Sequence, residues 1–318
     1  MVESLKRNTL LTSALWALLS PFAGWAVLRV AGWEPKLRWS QLVSFTPYAA
    51  AGSLVPLALA LALRNRPATY TALVVGGLLA SVVLPRAVPK GVPEAEGQPL
   101  RVMTANVRVG SVPAEALIGA VERSRPDVLT LQELTPDLAA RLDRGGLRAL
   151  LPYHLEQLGT AVYSRFPLRP GLGFAAGQWQ HVGGLLTLPD GSEVDVVGVH
   201  ACAPAGGWLA GCWAQSIRVL PTAVAKRPRV LAGDFNSTLD HAVLRELIAT
   251  GYQDAASVTG KGLVMTWPYY GRSALVPKVA IDHVLASEGV AVRSFETLAL
   301  PRTDHRATVT DLVLRGRA

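Results

Sequence analysis

Three apolar stretches crowd the first 85 residues and limit what this chain can fold into. Residues 9–32 (TLLTSALWALLSPFAGWAVLRVAG) carry one charge, Arg29, while residues 41–63 (QLVSFTPYAAAGSLVPLALALAL) and 69–85 (TYTALVVGGLLASVVLP) carry none. A helix that crosses about 30 Å of hydrocarbon needs roughly 17 to 25 apolar residues, so each stretch reads as a transmembrane helix. Two other readings share part of the pattern. Lys6 and Arg7 before an apolar run, with the small residues of FAGWA behind, also describe a cleavable signal peptide. An apolar hairpin buried in a soluble protein would account for the later runs. An exported soluble domain, however, needs no further apolar runs separated only by WEPKLRWS and RNRP. The expectation is an integral membrane anchor over residues 1–86.

Three spans would put the N-terminus and the 65–68 loop on one side and the rest of the chain on the other. Basic residues are nearly balanced, with Lys6, Arg7, Arg64 and Arg66 against Arg29, Lys36, Arg38, Arg86 and Lys90, so the positive-inside rule does not choose. The two cysteines, Cys202 and Cys212, are the only ones in the chain and lie in one loop region. A disulfide between them would belong to an oxidising compartment and favours an extracytoplasmic C-terminal domain. Two unrelated reduced thiols remain the alternative; a zinc site lacks further Cys or adjacent His to complete it.

Residues 87–99 are rich in Pro, Gly and charge and read as a linker. Beyond them, residues 100–318 alternate short strand-like runs with helical patterns: LRVMTANV, a helix over 114–124, DVLTLQEL, VDVVGVH, RVLAGDF, AIDHVLA and HRATVTDLVL. Pro126 and Asp127 mark the stop between that helix and the next strand. The interleaving predicts an α/β domain large enough for stacked sheets covered by helices. Lys and Arg number 9 against 4 Asp and Glu in the first 97 residues, and 22 against 19 beyond, so the net +8 divides as +5 and +3. The second part is only mildly basic, and a strongly basic face for nucleic acid is not indicated.

Polar residues collect where the strand-like runs end or begin. Asn106 ends LRVMTAN, Glu133 follows DVLTLQ, His200 ends VDVVGVH, and Asp234 and Asn236 close RVLAGDFN. Asp282 and His283 sit within AIDHVLA, and Asp304 and His305 precede the last strand. A sheet fixes the backbone at such positions while the loops beyond leave room for a ligand. Glu133, Asp304 and Asn106 are hard oxygen donors of the kind Mg²⁺ prefers. His200 and His305 can move protons near neutral pH if carboxylates orient them. Taken singly, Asn106 or GDFN would be a turn former and Glu133 a charge near a helix start. His154 and His181 are read as ordinary surface or core histidines.

The ordered set TANV, DVLTLQE, AVYSRFPL, GVH, GDFN, IDHVL and TDH, spread over residues 100–314, resembles the endonuclease/exonuclease/phosphatase superfamily, which includes pancreatic-type deoxyribonucleases and neutral sphingomyelinases. The resemblance implies two stacked mixed β-sheets flanked by helices, a four-layer sandwich, here as a membrane-anchored, bacterial-type member. It further implies a Mg²⁺-dependent phosphoesterase, with Mn²⁺ as a substitute, that hydrolyses phosphodiester or phosphomonoester bonds by in-line water attack. Glu133 would then be the principal metal ligand, with Asn106 and Asp304 beside it. His305, oriented by Asp282, would act as general base or phosphate donor; Asp234 would position or deprotonate the water; Asn236 would hydrogen-bond the phosphoryl oxygen. His200 would protonate the leaving group or bind phosphate.

The loop after His200 (ACAPAGGWLAGCWAQSIRVL) matches no particular substrate class. Trp208 and Trp213 could stack on a base or sugar, rest on lipid headgroups or simply pack. Arg272 and Lys278, in TWPYYGRSALVPKVA, are candidate phosphate contacts by position and charge. The substrate is therefore a phosphate ester of open class: nucleic acid, phospholipid or a small phosphorylated molecule. The alternatives are a phospholipid or sphingomyelin-type phosphodiesterase at the membrane surface and a catalytically silent membrane-tethered scaffold. No specific protein partner is expected.

Overall fold

The computed structural model describes residues 2–34, 37–91, 96–172, 180–206, 209–224, 227–271 and 275–315. The chain divides into two compact units, Met1–Pro85 with Asp240–Ala242, and Arg86–Leu239 with Val243–Ala318.

The first unit holds α1 (Val2–Ala31), α2 (Leu37–Val43), α3 (Thr46–Gly52), α4 (Leu54–Ala62) and α5 (Arg66–Val83). Two stretches, Asn8–Ala31 and Arg66–Ala87, are long and apolar enough to cross a membrane by length and composition. The middle run differs from the expected continuous span. It is broken into short helices, and its apolar stretch, Thr46–Ala62, falls short of the other two. Its prolines supply the reason, since a proline has no N–H to donate and its ring crowds the carbonyl four residues earlier. Pro47 stands four residues beyond Val43, where α2 ends, and Pro56 four beyond Gly52, where α3 ends. Asn65 opens α5 by accepting from the Ala68 amide at 3.1 Å. Small residues meet large ones inside this unit, Ala60 and Ala68 against Leu15, and Ala26 against Val75 and Leu79.

The second unit runs β1 (Gly97–Asn106), α6 (Ala114–Ser124), β2 (Val128–Gln132), α7 (Pro136–Arg144), α8 (Leu147–Leu150), β3 (Tyr153–Gln157) and β4 (Thr160–Ser164). It continues through β5 (Leu168–Pro170), β6 (Val182–Thr187), β7 (Glu193–His200), α9 (Leu209–Arg218), β8 (Arg229–Asp234), α10 (Ala242–Ala249), β9 (Gln253–Asp254) and α11 (Ala255–Val258). The last strands are β10 (Asp282–Ala286), β11 (Val290–Ala299) and β12 (Arg306–Arg315). They form two six-stranded sheets, ordered β11-β12-β1-β2-β4-β3 and β5-β6-β7-β8-β10-β9. Both are mixed: β1 and β2 run parallel, as do β7 and β8, and the other pairs are antiparallel.

Alternation along the strands builds the layers, because successive side chains point to opposite faces. Val102 and Val128 of the first sheet meet Val196, Val230 and Val284 of the second between the sheets. Met103, Leu129 and Leu131 point outward to Leu117, Val121, Leu138 and Leu142 of α6 and α7. Val197, Val199 and Leu231 point the other way to Trp213, Ile217 and Leu244 of α9 and α10. The result is two stacked mixed sheets flanked by helices. Helix α6 covers the span that the spacing predicts and ends where Arg125 turns left-handed (φ 46°) ahead of Pro126.

Candidate active site

Strand direction gathers the polar residues at one rim. Parallel neighbours end together, so Asn106 pairs in register with Gln132, the residue before Glu133, and His200 with Asp234. Antiparallel β10 begins where β8 ends, which sets Asp282 opposite Asp234. The residues before β12 return to the same edge, where the Thr303 hydroxyl donates to the Asn106 carbonyl at 2.8 Å and accepts from the His305 amide at 3.2 Å.

Asn106, buried, links two carboxylates: its Nδ2 donates to Glu133 Oε1 at 2.9 Å and to Asp234 Oδ2 at 3.0 Å. A left-handed turn supports this pair. Arg108, Val109 and Gly110 all have positive φ, and the Arg108 and Val109 amides donate to Asn106 Oδ1 and Glu133 Oε2 at 2.9 and 2.8 Å. Glu133 itself has φ 57°. Positive φ is uncommon for a non-glycine residue and a genuine outlier for β-branched Val109, and such strain concentrates at functional sites.

Asp234, Asp282 and His305 form a ligand cluster, with one donor atom from each within 4.8 Å of the others. Both Asp282 oxygens lie within 3.1 Å of His305 Nδ1, and His305 Nε2 faces Asp234 Oδ2 at 3.8 Å. Burial alone would lower the His305 pKa, but the charges of Asp282 and Asp234 outweigh it and carry it up to about 10. Burial also raises the Asp234 pKa, with the Asp282 charge adding to it and His305 opposing. Asn236 takes a left-handed turn (φ 46°); its amide donates to Asp234 Oδ1 at 2.8 Å and its Nδ2 to the Ala201 carbonyl at 2.9 Å. His200 has a buried Nδ1 without a partner, and burial lowers its pKa to about 4, partly offset by Glu133. Asp304 accepts from Trp267 Nε1 at 3.0 Å and lies 3.6 Å from Arg108 Nε.

Glu133, Asp234, Asp282 and Asp304 thus converge with one imidazolium and the guanidinium of Arg108. No Lys or Arg among the described residues forms an ion pair with Glu133. Such an excess of hard oxygen donors over cations fits a divalent metal ion. Asp234, Asp282 and His305 form a buried group able to hold one. Of the metal set expected from the sequence, Asn106 touches Glu133, and Asp304 accepts from Trp267 and lies beside Arg108.

Of the expected substrate contacts, Lys278 lies over the Tyr269 ring at 5.3 Å, a ring that Arg306 also approaches at 4.3 Å. The Tyr269 amide donates to the Asp304 carbonyl at 2.8 Å, so this stack adjoins the acidic rim. Arg272 and Trp208 lie outside the described residues. Cys202 and Cys212 are bridged, with Cα atoms 5.9 Å apart. Trp213 is buried and hydrogen-bonded rather than open to stacking. Arg108, Trp267 and Thr303 are not singled out by the sequence, and His181 is read there as an ordinary histidine; Gly110 shortly after Asn106 is the one hint of the left-handed turn. A cavity of about 610 Å³ opens instead at the opposite end of the strands, beside Gly97, Glu193 and Arg315, and holds none of these groups.

The sequence model described as "Endonuclease/Exonuclease/phosphatase family" matches residues 103–305, from within β1 to His305. No curated protein matches the chain in sequence. An endonuclease/exonuclease/phosphatase from Beutenbergia cavernae is 20% identical over 69% of this chain and 72% of its own, with a TM-score of 0.50. TDP2 from D. rerio, complexed with a single-strand DNA product, is 17% identical over 68% of this chain and 99% of its own, at 0.52. Truncated TDP2 from Caenorhabditis elegans is 18% identical over 69% and 100%, at 0.53. At these identities the likeness is one of fold.

Proposed function

Since this chain belongs to the endonuclease/exonuclease/phosphatase family and is a hydrolase acting on phosphoester bonds, we propose that it is a membrane-anchored, Mg²⁺-dependent, nuclease-like phosphodiesterase that uses in-line attack of water. The observation that carries this reading is the convergence of Glu133, Asp234, Asp282 and Asp304 around Asn106 and His305 at one rim.

In this reading Glu133, Asn106 and Asp304 hold the cation, which when bound neutralises phosphate charge and polarises a phosphoryl oxygen. Asp234, held by the Asn106 and Asn236 amides, orients the attacking water and takes its proton. The charged His305, fixed by Asp282, faces phosphate oxygen and stabilises the negative charge that builds there. Asn236 Nδ2, which gives one proton to the Ala201 carbonyl, offers its other to the same developing charge. His200, neutral because it is buried, meets the leaving group. Lys278 is the candidate for contact with flanking phosphate.

Two further parts of the reading rest on other observations. Asn8–Ala31 and Arg66–Ala87 have the length and composition of membrane spans, and with the shorter Thr46–Ala62 they support an anchor over residues 1–86, a linker over 87–99 and a catalytic domain over 100–318. The Cys202–Cys212 bridge supports an extracytoplasmic catalytic domain. The same apolar helices favour a second reading, a phospholipid phosphodiesterase working at the membrane surface.

The full-length chain, assayed with Mg²⁺ or Mn²⁺ and with EDTA as control, separates these. Metal-dependent cleavage of bis-p-nitrophenyl phosphate and plasmid DNA that is lost in Asp234→Asn supports the nuclease-like reading. Cleavage confined to a choline phospholipid supports the second, and no cleavage of any of the three overturns both.

A further inference from the structure

We propose that Trp213 and His181 are positioning residues for the reaction, and that the Cys202–Cys212 bridge holds α9 against the rim so that they can hold Asn236 and His200 in place. The proposal rests on the function proposed above and concerns parts of the chain outside its metal and water-activating groups.

Asn236 has two anchors outside its own strand, and each sits beside a bridged cysteine. Its side-chain Nδ2 donates to the carbonyl of Ala201, the neighbour of Cys202, at 2.9 Å. Its backbone carbonyl accepts from Nε1 of Trp213, the neighbour of Cys212, at 3.1 Å. The same indole N–H lies 3.0 Å from Ser237 Oγ, so the ring clamps two successive residues of a left-handed turn. Asparagine tolerates the left-handed region, so these contacts fix where its amide points rather than the turn itself. The bridge joins the two anchors, with Cα atoms 5.9 Å apart.

A second path leads to His200. The Cys202 amide donates to Ser216 Oγ at 3.1 Å, and Ser216 Oγ donates to the Trp213 carbonyl at 2.7 Å. His181 Nε2 donates to the Ser216 carbonyl at 2.8 Å, and His181 Nδ1 accepts from the His200 amide at 3.2 Å. An amide donor on Nδ1 leaves the proton on Nε2, so His181 is a neutral imidazole in one tautomer, fully buried. Burial keeps it neutral by lowering its pKa to about 4. Ile217 and Trp213 also pack on Val199 and Phe235, so α9 has apolar contacts that survive loss of the bridge.

Small displacements of a group that meets the transition state cost rate more than binding. Trp213→Phe keeps the ring and removes the N–H, so kcat on bis-p-nitrophenyl phosphate should fall about tenfold with KM unchanged. His181→Leu should lower kcat similarly, and His181→Gln, whose amide can accept from His200 and donate to Ser216, should restore most of it. The double variant Cys202→Ser with Cys212→Ser should repeat the Trp213→Phe effect.

The full-length chain provides the test, with hydrogen exchange of the Trp213 indole N–H as a readout independent of turnover. The expected result is an indole proton that exchanges faster in the double serine variant while the thermal transition persists. Wild-type kcat in Trp213→Phe and in the double serine variant, or equal exchange with and without the bridge, overturns the proposal. Full activity in Glu133→Gln would instead overturn the underlying function, so the two failures are distinguishable.

Discussion

Asp282 holds His305 with both carboxylate oxygens, Oδ1 at 3.1 Å and Oδ2 at 3.0 Å from Nδ1. The contact fixes the ring and leaves Nε2 facing Asp234. Asp282→Asn removes the charge that keeps the imidazole protonated and should lower kcat by about 10²-fold or more. Stability should change with pH in a defined direction. A histidine whose folded pKa is raised contributes stability that is complete below its unfolded value, near 6.5, and lost as pH rises through the folded one. With His305 raised to about 10, that window runs from about 6.5 to 10. Urea denaturation in EDTA at pH 6, 8 and 9.5 should show wild type losing stability across the window and Asp282→Asn losing much less. Parallel curves for the two proteins would contradict the assignment.

Glu133 accepts from the Asn106 side chain and the Val109 amide but has no cationic partner among the described residues. Its charge is therefore available to a metal ion. Glu133→Gln keeps the size and one acceptor, so the fold should persist with a melting temperature within a few degrees of wild type. Metal-stimulated turnover should fall by about 10²-fold or more, and calorimetric titration with Mn²⁺ should lose its binding heat. Undiminished turnover would remove Glu133 from the site.

The rim was legible because polar residues that interrupt or end apolar strand runs stand out, and the runs around Asn106, Glu133, His200 and Asp234 are among the clearest in the chain. What they do to one another was not. The alignment of β8 with antiparallel β10 is a long-range pairing, so the opposition of Asp234 and Asp282 has no local signature. The left-handed turn over Arg108 and Val109 contradicts the preference of both residues, and tertiary contacts with Asn106 and Glu133 override it. The sequence offers His181 only as a surface or core histidine and Trp213 only as a stacking or packing ring, since their hydrogen bonds reach across the fold to His200 and Asn236. In the apolar region hydropathy alone merged residues 41–63 into one span, whereas Pro47 and Pro56 divide it.

Gly233 shows why glycine directly precedes Asp234. Its φ is 153°, and a Cβ there would overlap the carbonyl oxygen of Val199 on the neighbouring parallel strand. Gly233→Ala must shift β8 away from β7 and with it Asp234. The expected loss is about 2 to 4 kcal/mol, read from urea denaturation, with kcat falling as well. A loss below about 0.5 kcal/mol would mean that the strands part without cost.

Beneath the rim, His283 donates from Nδ1 to Asp254 Oδ1 at 3.0 Å and from Nε2 to the Ser237 carbonyl at 2.9 Å, with both side chains buried. Two acceptors make it an imidazolium. Burial opposes that charge, but Asp254 outweighs it and raises the His283 pKa. For Asp254 burial acts upward, and His283 together with the Ser257 amide at the start of α11 overcomes it and lowers the pKa. Asp254→Asn would strand a buried charge, an imbalance that costs about 3 to 5 kcal/mol. A carboxylate with a lowered folded pKa contributes stability that is present above its unfolded value, near 3.9, and is lost as pH falls through the folded one. Wild type should therefore lose the carboxylate's contribution as pH falls and the raised histidine's as pH climbs through its folded value, and Asp254→Asn should lack both parts. Because Ser237 also meets the Trp213 indole, the same variant should loosen the turn at Asn236 and lower kcat. In a double-mutant cycle His283→Gln should recover part of the stability lost in Asp254→Asn; strict additivity of the two changes would show that the pair is not coupled.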